Sequence, residues 1–357
     1  MVERIFIPGQ DDEDVLDLRA RVWGADHPHT SRAFYKWLFQ DTPAGVGSGN
    51  IFERNGKVVG FAGIANRRAQ LGQTQLKIAH GLDYMADPGL GGMLSGRIAH
   101  KVLITHAKHV KNLNYDCGLN YPNDNSYKML ITKRMTYSTV LEPSLFFRTV
   151  GAVAVKNKGL SRQIAPRLAG SLGGLYATAR SIGRRRSAEI LPAAEFDARF
   201  DDHWDRLTKD GKLRFYRDAT TLNWRYAQNP LYEYQTLVAL DAGAVAGFVV
   251  VSKRHLFGID AMLICDLSVA DGTRDTEHGL LDAVRSLAKR QGVRLIISQA
   301  LRSSRTAQSL GRMGFLRVPQ KINPKQFRMV AKSYTDVGVN GLKSDAWAFS
   351  WGDMDVI

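Results

Sequence analysis

Apolar and polar positions alternate in two similar stretches of the chain, and both predict a mixed α/β structure. Phe52–Ile64 and Gln235–Ser252 each contain two apolar runs around a polar turn, which is typical of a β-hairpin. After each hairpin the pattern predicts a strand, a helix with apolar residues three and four positions apart, and another strand: Ile78–Met85, Ser95–Val110 and Leu113–Leu119, then Met262–Val269, Thr276–Gln291 and Arg294–Gln299. Because parallel strands need a long connection, each unit predicts a parallel pair joined by a crossover helix.

The chain also resembles itself. YKWLFQDTP places Trp37 six residues before a proline, and LNWRYAQNP places Trp224 six residues before another, 187 positions further on. At the same offset GKVVGF falls on GAVAGF. At slightly smaller offsets HGLDYM, with Asp83, matches ICDLSV, with Asp266, and KRMTYSTV matches GRMGFLRV. Because these matches keep their order, the sequence predicts a duplicated unit of about 120 to 140 residues.

Length and composition are those of a folded protein with two domains. The chain has 357 residues, of which 44% are hydrophobic and 23% charged. Its apolar runs are all far shorter than the ~20 residues of a membrane span, and MVERIFIPGQDDEDV carries acids where a signal peptide would be apolar, so we expect a cytoplasmic protein. Cys117 and Cys265 lie in separate apolar segments, which predicts two buried thiols and neither a disulfide nor a metal-binding pair.

The positive charge is concentrated in one segment. The net charge is +15, and residues 143–188 hold nine basic residues and no acid. Apolar residues recur there at helical spacing, so the segment is either an amphipathic helix on an anionic membrane surface or a connector whose apolar face packs on a domain. The first interpretation predicts a position at the inner face of the plasma membrane. No nucleic-acid-binding motif accompanies the segment, so nucleic acid is not an expected partner, apart from tRNA in one alternative below.

These motifs resemble the GNAT N-acetyltransferase superfamily, and most of all bacterial tandem-GNAT proteins associated with exopolysaccharide or cell-envelope synthesis. The resemblance covers nearly the whole chain and is carried by WLFQDTP, NGKVVGFAG, HGLDYMADPGLGGMLSG, LNYPNDNSYKMLITKRMTY, WRYAQNP and WAFSWGDMDVI. It implies an α/β (α+β) fold of two tandem GNAT-like domains, each a mixed twisted sheet with flanking helices. The expected divisions are an N-terminal domain at 1–142, a basic connector at 143–190, a C-terminal domain at 191–335 and a tail at 336–357.

The resemblance also implies acetyl-CoA or another acyl-CoA as co-substrate, bound near the glycine-rich turn after the first central strand. The residues expected to contact it are Met85, Gly91, Gly92, Leu94, Ser95 and Gly96. Glycine lets a backbone approach a phosphate closely, although here the glycines depart from the family register and a plain flexible turn is the alternative. Asp271, Asp275 and Glu277 occupy this region in the second copy and would repel a pyrophosphate, so only the first copy is expected to bind CoA. The family's thiolate-protonating tyrosine is replaced by Thr132 and Leu310.

Asp83 is the candidate catalytic base. Acyl transfer to an amine needs a proton acceptor, and the resemblance places Asp83 at the end of the first central strand, beside the expected thioester. An ion pair with a nearby Lys or Arg is the alternative role of this carboxylate.

A second polar cluster follows the next central strand, where ligand sites of α/β folds open. Its amides and tyrosines suit a hydroxylated substrate, and capping of the following helix by Asn123 or Asn125 is the alternative. The expected substrate-binding residues are Tyr84, Asn120, Tyr121, Asn123, Asn125, Ser126 and Tyr127. No metal site is expected, because His106 and His109 share a helix face without a carboxylate or cysteine.

The sequence therefore predicts an enzyme that moves an acyl group from acyl-CoA to an amine or hydroxyl of an amino sugar, another saccharide precursor or a similar small molecule. Two alternatives are an aminoacyl-tRNA-dependent transferase of the tandem-GNAT kind and a binding protein whose two centres are inactive.

Overall fold

Two mixed β-sheets with flanking helices make up the computed structural model, which describes residues 1–150, 188–256, 259–270, 273–319, 323 and 326–354. Most of the predicted basic connector, together with Asp271 of the second copy, lies outside these residues. The predicted mixed α/β class with two similar halves is confirmed. No helix within the described ranges is both long enough and apolar enough to cross a membrane.

The first sheet has seven strands in line and an eighth at one margin. Its order is β1-β2-β3-β4-β5-β15-β6, and β9 pairs with the far end of β3. The strands are β1 (Val2–Ile5), β2 (Ser48–Arg54), β3 (Lys57–Leu71), β4 (Thr74–Ala86), β5 (Cys117–Asn120), β6 (Ser138–Leu141), β9 (Leu213–Phe215) and β15 (Met329–Ser333). Only β4 and β5 run parallel, as predicted from their crossover helix.

The second sheet repeats this arrangement. Its order is β8-β10-β11-β12-β13-β7-β14, and β12 and β13 form its parallel pair. The strands are β7 (Ser144–Thr149), β8 (Glu189–Ala193), β10 (Gln235–Asp241), β11 (Ala244–Leu256), β12 (Ile259–Val269), β13 (Leu295–Ala300) and β14 (Leu316–Arg317). Each strand corresponds in position to one strand of the first sheet.

The two sheets exchange one strand each. β7 follows the last strand of the first half but pairs with β13 and β14 in the second sheet. β15 follows the last strand of the second half but lies between β5 and β6 in the first sheet. Residues 144–149, which the sequence assigned to the connector, and residues 329–333, which it assigned to the C-terminal domain, therefore complete the opposite sheets.

Helices cover both sheets. They are α1 (Asp12–Trp23), α2 (Arg32–Phe39), α3 (Gly92–Lys111), α4 (Asp124–Leu130), α5 (Arg199–Leu207), α6 (Ala219–Leu222), α7 (Arg274–Arg290) and α8 (Arg305–Arg312). The two crossover helices, α3 and α7, agree with the sequence pattern. β5 starts at Cys117 and not at Leu113, because backbone bonds from Leu113 to Val110 and from Tyr115 to Leu113 form a turn after α3.

The two halves meet at the duplicated tryptophans. The rings of Trp37 and Trp224 stack with centroids 4.7 Å apart and planes at 15°. The indole N–H of Trp37 donates to the carbonyl of Trp224 at 2.7 Å, and that of Trp224 donates to the carbonyl of Trp37 at 3.1 Å. This reciprocal contact between equivalent residues is what an approximate two-fold relation between the copies requires.

Candidate functional site

A cavity opens in the first half where the two parallel strands separate. β4 and β5 are paired from Ile78 to His80 and no further, so a gap begins at Gly81 and Asn120. The cavity at this gap has a volume of about 290 Å³. It is lined by Arg19, Val22, Trp23, His29, Phe34, Leu38, Gly81, Leu82, Asp83, Tyr84, Met85, Asn120, Tyr121, Pro122, Asn123 and Ser126. Seven of the predicted site residues therefore share one cavity.

Asp83 lies on a distorted part of β4. The register between β3 and β4 shifts opposite Phe61 and Gly63, and Asp83 has a φ of +55°. A non-glycine residue in this region costs about 1–3 kcal/mol, and such strain collects at functional sites. The distortion lies just beyond His80, where the pairing of β4 with β5 ends and the cavity begins.

Arg19 connects Asp83 to the opposite wall of the cavity. Its guanidinium is fully buried; Nε donates to Asp83 Oδ2 at 2.9 Å, and Nη2 contacts the same oxygen. Nη1 donates to the carbonyl oxygen of His29 at 2.7 Å. A buried cation needs such a partner, so the ion-pair role that the sequence left open for Asp83 is present, in a carboxylate that also lines the cavity.

Tyr84 and Asn120 form the floor of the gap. The hydroxyl of Tyr84 donates to Oδ1 of Asn120, and burial raises the pKa of this tyrosine well above its ordinary value. Gly81 makes room for the pair, because a Cβ at this position would collide with both polar groups. The ring of Tyr84 also packs edge-on against His106.

The polar cluster after β5 divides into lining and non-lining residues. Asn123 caps α4 by accepting the backbone N–H of Ser126 at 2.9 Å, and both residues face the cavity. Tyr121 packs edge-on over the buried His80, with ring centroids 5.5 Å apart. Asn125 is exposed and does not line the cavity.

Tyr127 also lies outside the cavity lining. Its hydroxyl is 2.9 Å from Thr139 Oγ1, and the Arg328 guanidinium lies over its ring. This tyrosine therefore braces α4 against β6. The cavity takes in the start of α4 at Ser126 and goes no further along this helix.

The glycine-rich turn leads from the cavity strand into the 20-residue helix α3. Gly91, with φ of +81°, precedes the helix and leaves its first turn without a side-chain cap. A Cβ at Gly91, Gly92 or Gly96 would meet nothing within 4 Å, so this surface is open. Unpaired amides at a helix start attract anions. Ser95 donates its N–H to Gly91 and belongs to the helix proper.

The other two residues predicted for CoA contact are apolar. Met85 is buried and lines the cavity, while Leu94 packs on the apolar cluster between α3 and the sheet. The one acid before the turn, Asp87, is buried and paired with Arg21 at 2.8 Å. Its charge is therefore compensated within the protein.

The sequence did not predict the part of the cavity wall that the N-terminal helices supply. Arg19, Trp23, His29 and Phe34 come from α1, α2 and the turn between them. One signal was present in the sequence: Arg19 shares the apolar face of α1 with the buried Val15 and Leu18. A cation on such a face predicts a buried ion pair, although it does not say with which acid.

The equivalent position in the second half is arranged differently. Asp266 accepts Arg217 Nε on both carboxylate oxygens, at 3.1 and 2.9 Å, and also the hydroxyl of Tyr226 at 3.0 Å. Arg217 is shared with the buried Asp353 at 2.7 Å. This carboxylate lines a cavity of about 370 Å³, and both of its oxygens already accept protein donors, two on Oδ2 and one on Oδ1.

The start of the second crossover helix carries acids. Asp275 and Glu277 lie in the first turn of α7, and the buried Glu277 accepts the hydroxyl of Ser309 at 2.7 Å. The first turn of α3 contains no acid. Glu277 is also paired with Arg305 at 3.5 Å, so the difference between the two helix starts rests on the exposed Asp275.

No metal-binding cluster occurs in the part of the chain that the structure describes: no three His, Cys, Asp or Glu side chains converge there. His106 is enclosed beside Tyr84, and His109 is 2.9 Å from Ser48.

Solved structures with the same architecture include a GCN5-related N-acetyltransferase from Anabaena variabilis ATCC 29413 (TM-score 0.63, 8% identity, covering 96% of this chain and 75% of that one). One from Kribbella flavida has a TM-score of 0.61 and 15% identity, with coverage of 96% and 74%. A tandem GNAT protein from the clavulanic acid biosynthesis pathway, solved without AcCoA, has a TM-score of 0.52 and 12% identity, with coverage of 94% and 99%. The chain has a tandem GNAT fold.

This fold contains two GNAT-like halves in one chain, as the sequence resemblance implied. At 8 to 15% identity the similarity establishes the fold and leaves the chemistry to the residues of the cavity. No protein-family profile and no characterised protein matches the chain by sequence.

Proposed function

We propose that the first half binds an acyl-CoA and transfers its acyl group to an amine or hydroxyl of a small acceptor held in the 290 Å³ cavity. One observation carries the proposal: the strand gap, the strained Asp83 and the uncapped start of α3 lie within residues 81–96. Such an arrangement suits a ligand with an anionic end and a reactive acyl end. The GNAT-fold neighbours, which include N-acetyltransferases, support the same chemistry.

The CoA pyrophosphate would lie on the amides at the start of α3. Gly91 and Gly92 leave space for it, and the compensated charge of Asp87 removes a source of repulsion. The pantetheine arm would then follow the gap between β4 and β5, so that the thioester reaches Asp83. Catalysis at this position consists of orienting the acceptor against the thioester carbonyl.

The acceptor we propose is an amino sugar or another precursor of cell-envelope polysaccharide. Trp23 and Tyr121 offer aromatic rings, and Asn120, Asn123 and Ser126 offer polar groups. A pocket with apolar walls and a few convergent polar groups is typical of small-molecule recognition. Both guanidinium contacts fall on Oδ2 of Asp83, which leaves Oδ1 to hold a donor of the acceptor.

We propose that the second half does not bind CoA. The exposed Asp275 in the first turn of α7 opposes a pyrophosphate, and Asp266 already accepts hydrogen bonds from Arg217 and Tyr226. Its role would be to complete and support the first half.

The basic segment 143–190, apart from its ends in β7 and β8, would hold the protein at the inner face of the plasma membrane. This proposal rests on charge alone, because residues 151–187 lie outside the described residues. Sedimentation with anionic vesicles tests it: replacing Arg184, Arg185 and Arg186 by Gln should weaken binding, while replacing the exposed Arg54, Lys57 and Arg312 should not.

Calorimetric titration with acetyl-CoA tests the proposed function. We expect one saturable site, lost in Gly92→Glu through charge repulsion and retained in Gly92→Ala, since both side chains enter open space. Gly311→Glu is the matched control, because it places the same charge on an open position of α8 in the second half. Binding of tRNA without CoA would favour the aminoacyl-tRNA alternative, and binding of neither would favour an inactive binding protein.

A further inference from the structure

One titratable side chain of the cavity makes ring contacts but no hydrogen bond within the described part of the chain: the imidazole of His29. It lies in the turn between α1 and α2, is half-buried, and lines the cavity. Neither of its ring nitrogens has a hydrogen-bond partner among the residues that the structure describes. An unpaired imidazole inside a polar cavity is available to a ligand.

The position of this imidazole is nevertheless fixed. The carbonyl of His29 accepts Arg19 Nη1 at 2.7 Å, and its N–H donates to His27 Nδ1 at 3.2 Å. The ring stacks on Phe34 with centroids 4.7 Å apart and meets the edge of Trp23 at 6.0 Å. Backbone and ring are both held, so the free nitrogen is presented in one orientation, as catalysis by positioning requires.

Burial, the positive charge of Arg19 and then that of His27 lower the pKa of His29 to about 4. The ring is therefore neutral at neutral pH and carries a free lone pair. Asp83 differs, because Arg19 compensates its charge and occupies Oδ2 with two donors. Arg19 thus compensates the carboxylate on one wall and, through the carbonyl of His29, holds the turn that carries the unpaired imidazole on the other.

We propose that His29, and not Asp83, accepts the proton of the acyl acceptor in the first cavity, an inference that rests on the proposed acyl transfer. The acceptor nitrogen attacks the thioester carbonyl carbon, the C–N bond forms, and a proton passes from that nitrogen to the free nitrogen of His29. The C–S bond breaks and its electron pair leaves with CoA as a thiolate, which solvent protonates. His29 then returns its proton to solvent.

The low basicity of this imidazole is compatible with the step. The acceptor attacks as the neutral amine, after its ammonium form has lost a proton to solvent. The nitrogen then becomes more acidic as it bonds to the carbonyl carbon, and this second proton is the one that His29 accepts. Proton transfer is then concerted with bond formation. General-base catalysis contributes about 10²- to 10⁴-fold when the pKa of the base lies near the working pH, and the low pKa of His29 places its contribution at the lower end of that range. Asp83 is left to orient the acceptor through Oδ1.

Acetyl transfer from acetyl-CoA to D-glucosamine, followed by mass spectrometry of the product, tests the inference. We expect His29→Ala to lower kcat by about 100-fold, with acetyl-CoA affinity unchanged in calorimetry. Added imidazole should restore part of kcat in His29→Ala, which a structural role of the side chain would not explain. His100→Ala, an exposed histidine outside the cavity, should leave kcat within threefold.

Three outcomes would overturn the inference. They are unchanged kcat in His29→Ala, a loss that imidazole does not rescue, and a wild-type protein that binds acetyl-CoA but acetylates neither the sugar nor water. In all three the binding part of the proposed function survives. Absence of acetyl-CoA binding to the wild type would refute the proposed function itself, and the role of His29 with it.

Discussion

Asp83 shows how one residue joins folding to the proposed chemistry. Its carboxylate compensates the fully buried Arg19, and its strained backbone lies beside the strand gap. From the sequence alone, Asp83→Asn would be expected to change turnover with little loss of stability. The ion pair alters that expectation, because removing one partner of a buried pair leaves the other uncompensated.

We predict that Asp83→Asn lowers turnover and also lowers the free energy of unfolding by about 3 kcal/mol. Urea unfolding monitored by tryptophan fluorescence measures the second effect. The double variant Arg19→Gln, Asp83→Asn should recover part of the lost stability, because neither residue then carries a charge. A single variant as stable as the wild type would show that the pair contributes nothing.

His106 is a second single residue with a testable effect: it makes the free energy of unfolding depend on pH. Burial, with a smaller contribution from His109, lowers the pKa of His106 to about 3, whereas an unfolded histidine has a pKa near 6.5. Between about pH 3 and pH 6.5, His106 therefore binds a proton in the unfolded chain but not in the folded protein. The free energy of unfolding is fully retained above about pH 6.5 and falls by about 1.4 kcal/mol per pH unit below it.

We predict that His106→Gln makes the dependence of unfolding free energy on pH shallower between pH 6 and pH 5. Urea titrations at several pH values provide the measurement. His100→Gln on the same helix is the control, because His100 is exposed and should leave the slope unchanged. Equal slopes in the wild type and His106→Gln would contradict the assignment.

The sequence located Asp83 and the polar cluster because both follow predicted strands. It could not locate Arg19 or His29 in the site. Their partners are distant along the chain, 64 residues away for the Arg19–Asp83 bond, and no local pattern encodes such a contact. The sequence also allowed two roles for Asn123, helix capping and ligand binding. In the structure Asn123 caps α4 and also lines the cavity.

At the scale of elements, α2 and the π-helical turn Asn223–Ala227 carry the contact between the halves. Each supplies one of the stacked tryptophans, and each tryptophan donates to the backbone of the other element. Aromatic pairs contribute about 0.5–1.5 kcal/mol beyond the area they bury. The two bonds make the contact specific for indole.

We predict a coupling of about 1 kcal/mol between Trp37 and Trp224 in a double-mutant cycle with phenylalanine. Each single variant loses one hydrogen bond and disturbs the shared stack, so the double variant should cost less than the two single variants together. Urea unfolding of the four proteins gives the coupling. Costs that add to within 0.3 kcal/mol would mean that the rings act independently.

The elements themselves were largely predictable. Both hairpins, both crossover helices and the parallel pairs followed from apolar periodicity and turn residues, because these signals are local. The end of α4 at Leu130 is not marked by the apolar pattern; it is set by the N–H of Ile131, which donates to the carbonyls of Tyr127 and Met129. Periodicity extends past such an end without revealing it.

At the scale of the molecule, the exchange of β7 and β15 makes each sheet dependent on the other half. Nothing in the sequence predicted it, because a strand has the same apolar alternation whichever sheet it joins. The sheet topology shows which sheet each strand joins: β15 has neighbours on both sides in the first sheet, and β7 has neighbours on both sides in the second. Neither strand lies at an edge.

We predict that fragments 1–170 and 171–357, when co-expressed, form a one-to-one complex without a covalent link. Each fragment supplies an internal strand to the sheet of the other, and each fragment alone would leave that sheet with unpaired backbone groups. Size-exclusion chromatography should show the complex near the 39.7 kDa of the intact chain. Shortening the first fragment to 1–142 removes β7 and should weaken the complex, whereas two separately folded monomers would contradict the exchange.

Hydrogen exchange of the intact chain saturated with acetyl-CoA tests the central claim, that only one of the two duplicated halves retains a thioester site. We predict slower amide exchange at residues 81–96, which cover the strand gap and the start of α3, and no change at residues 273–278, the start of α7. Protection at the second helix, or at neither, would contradict the account.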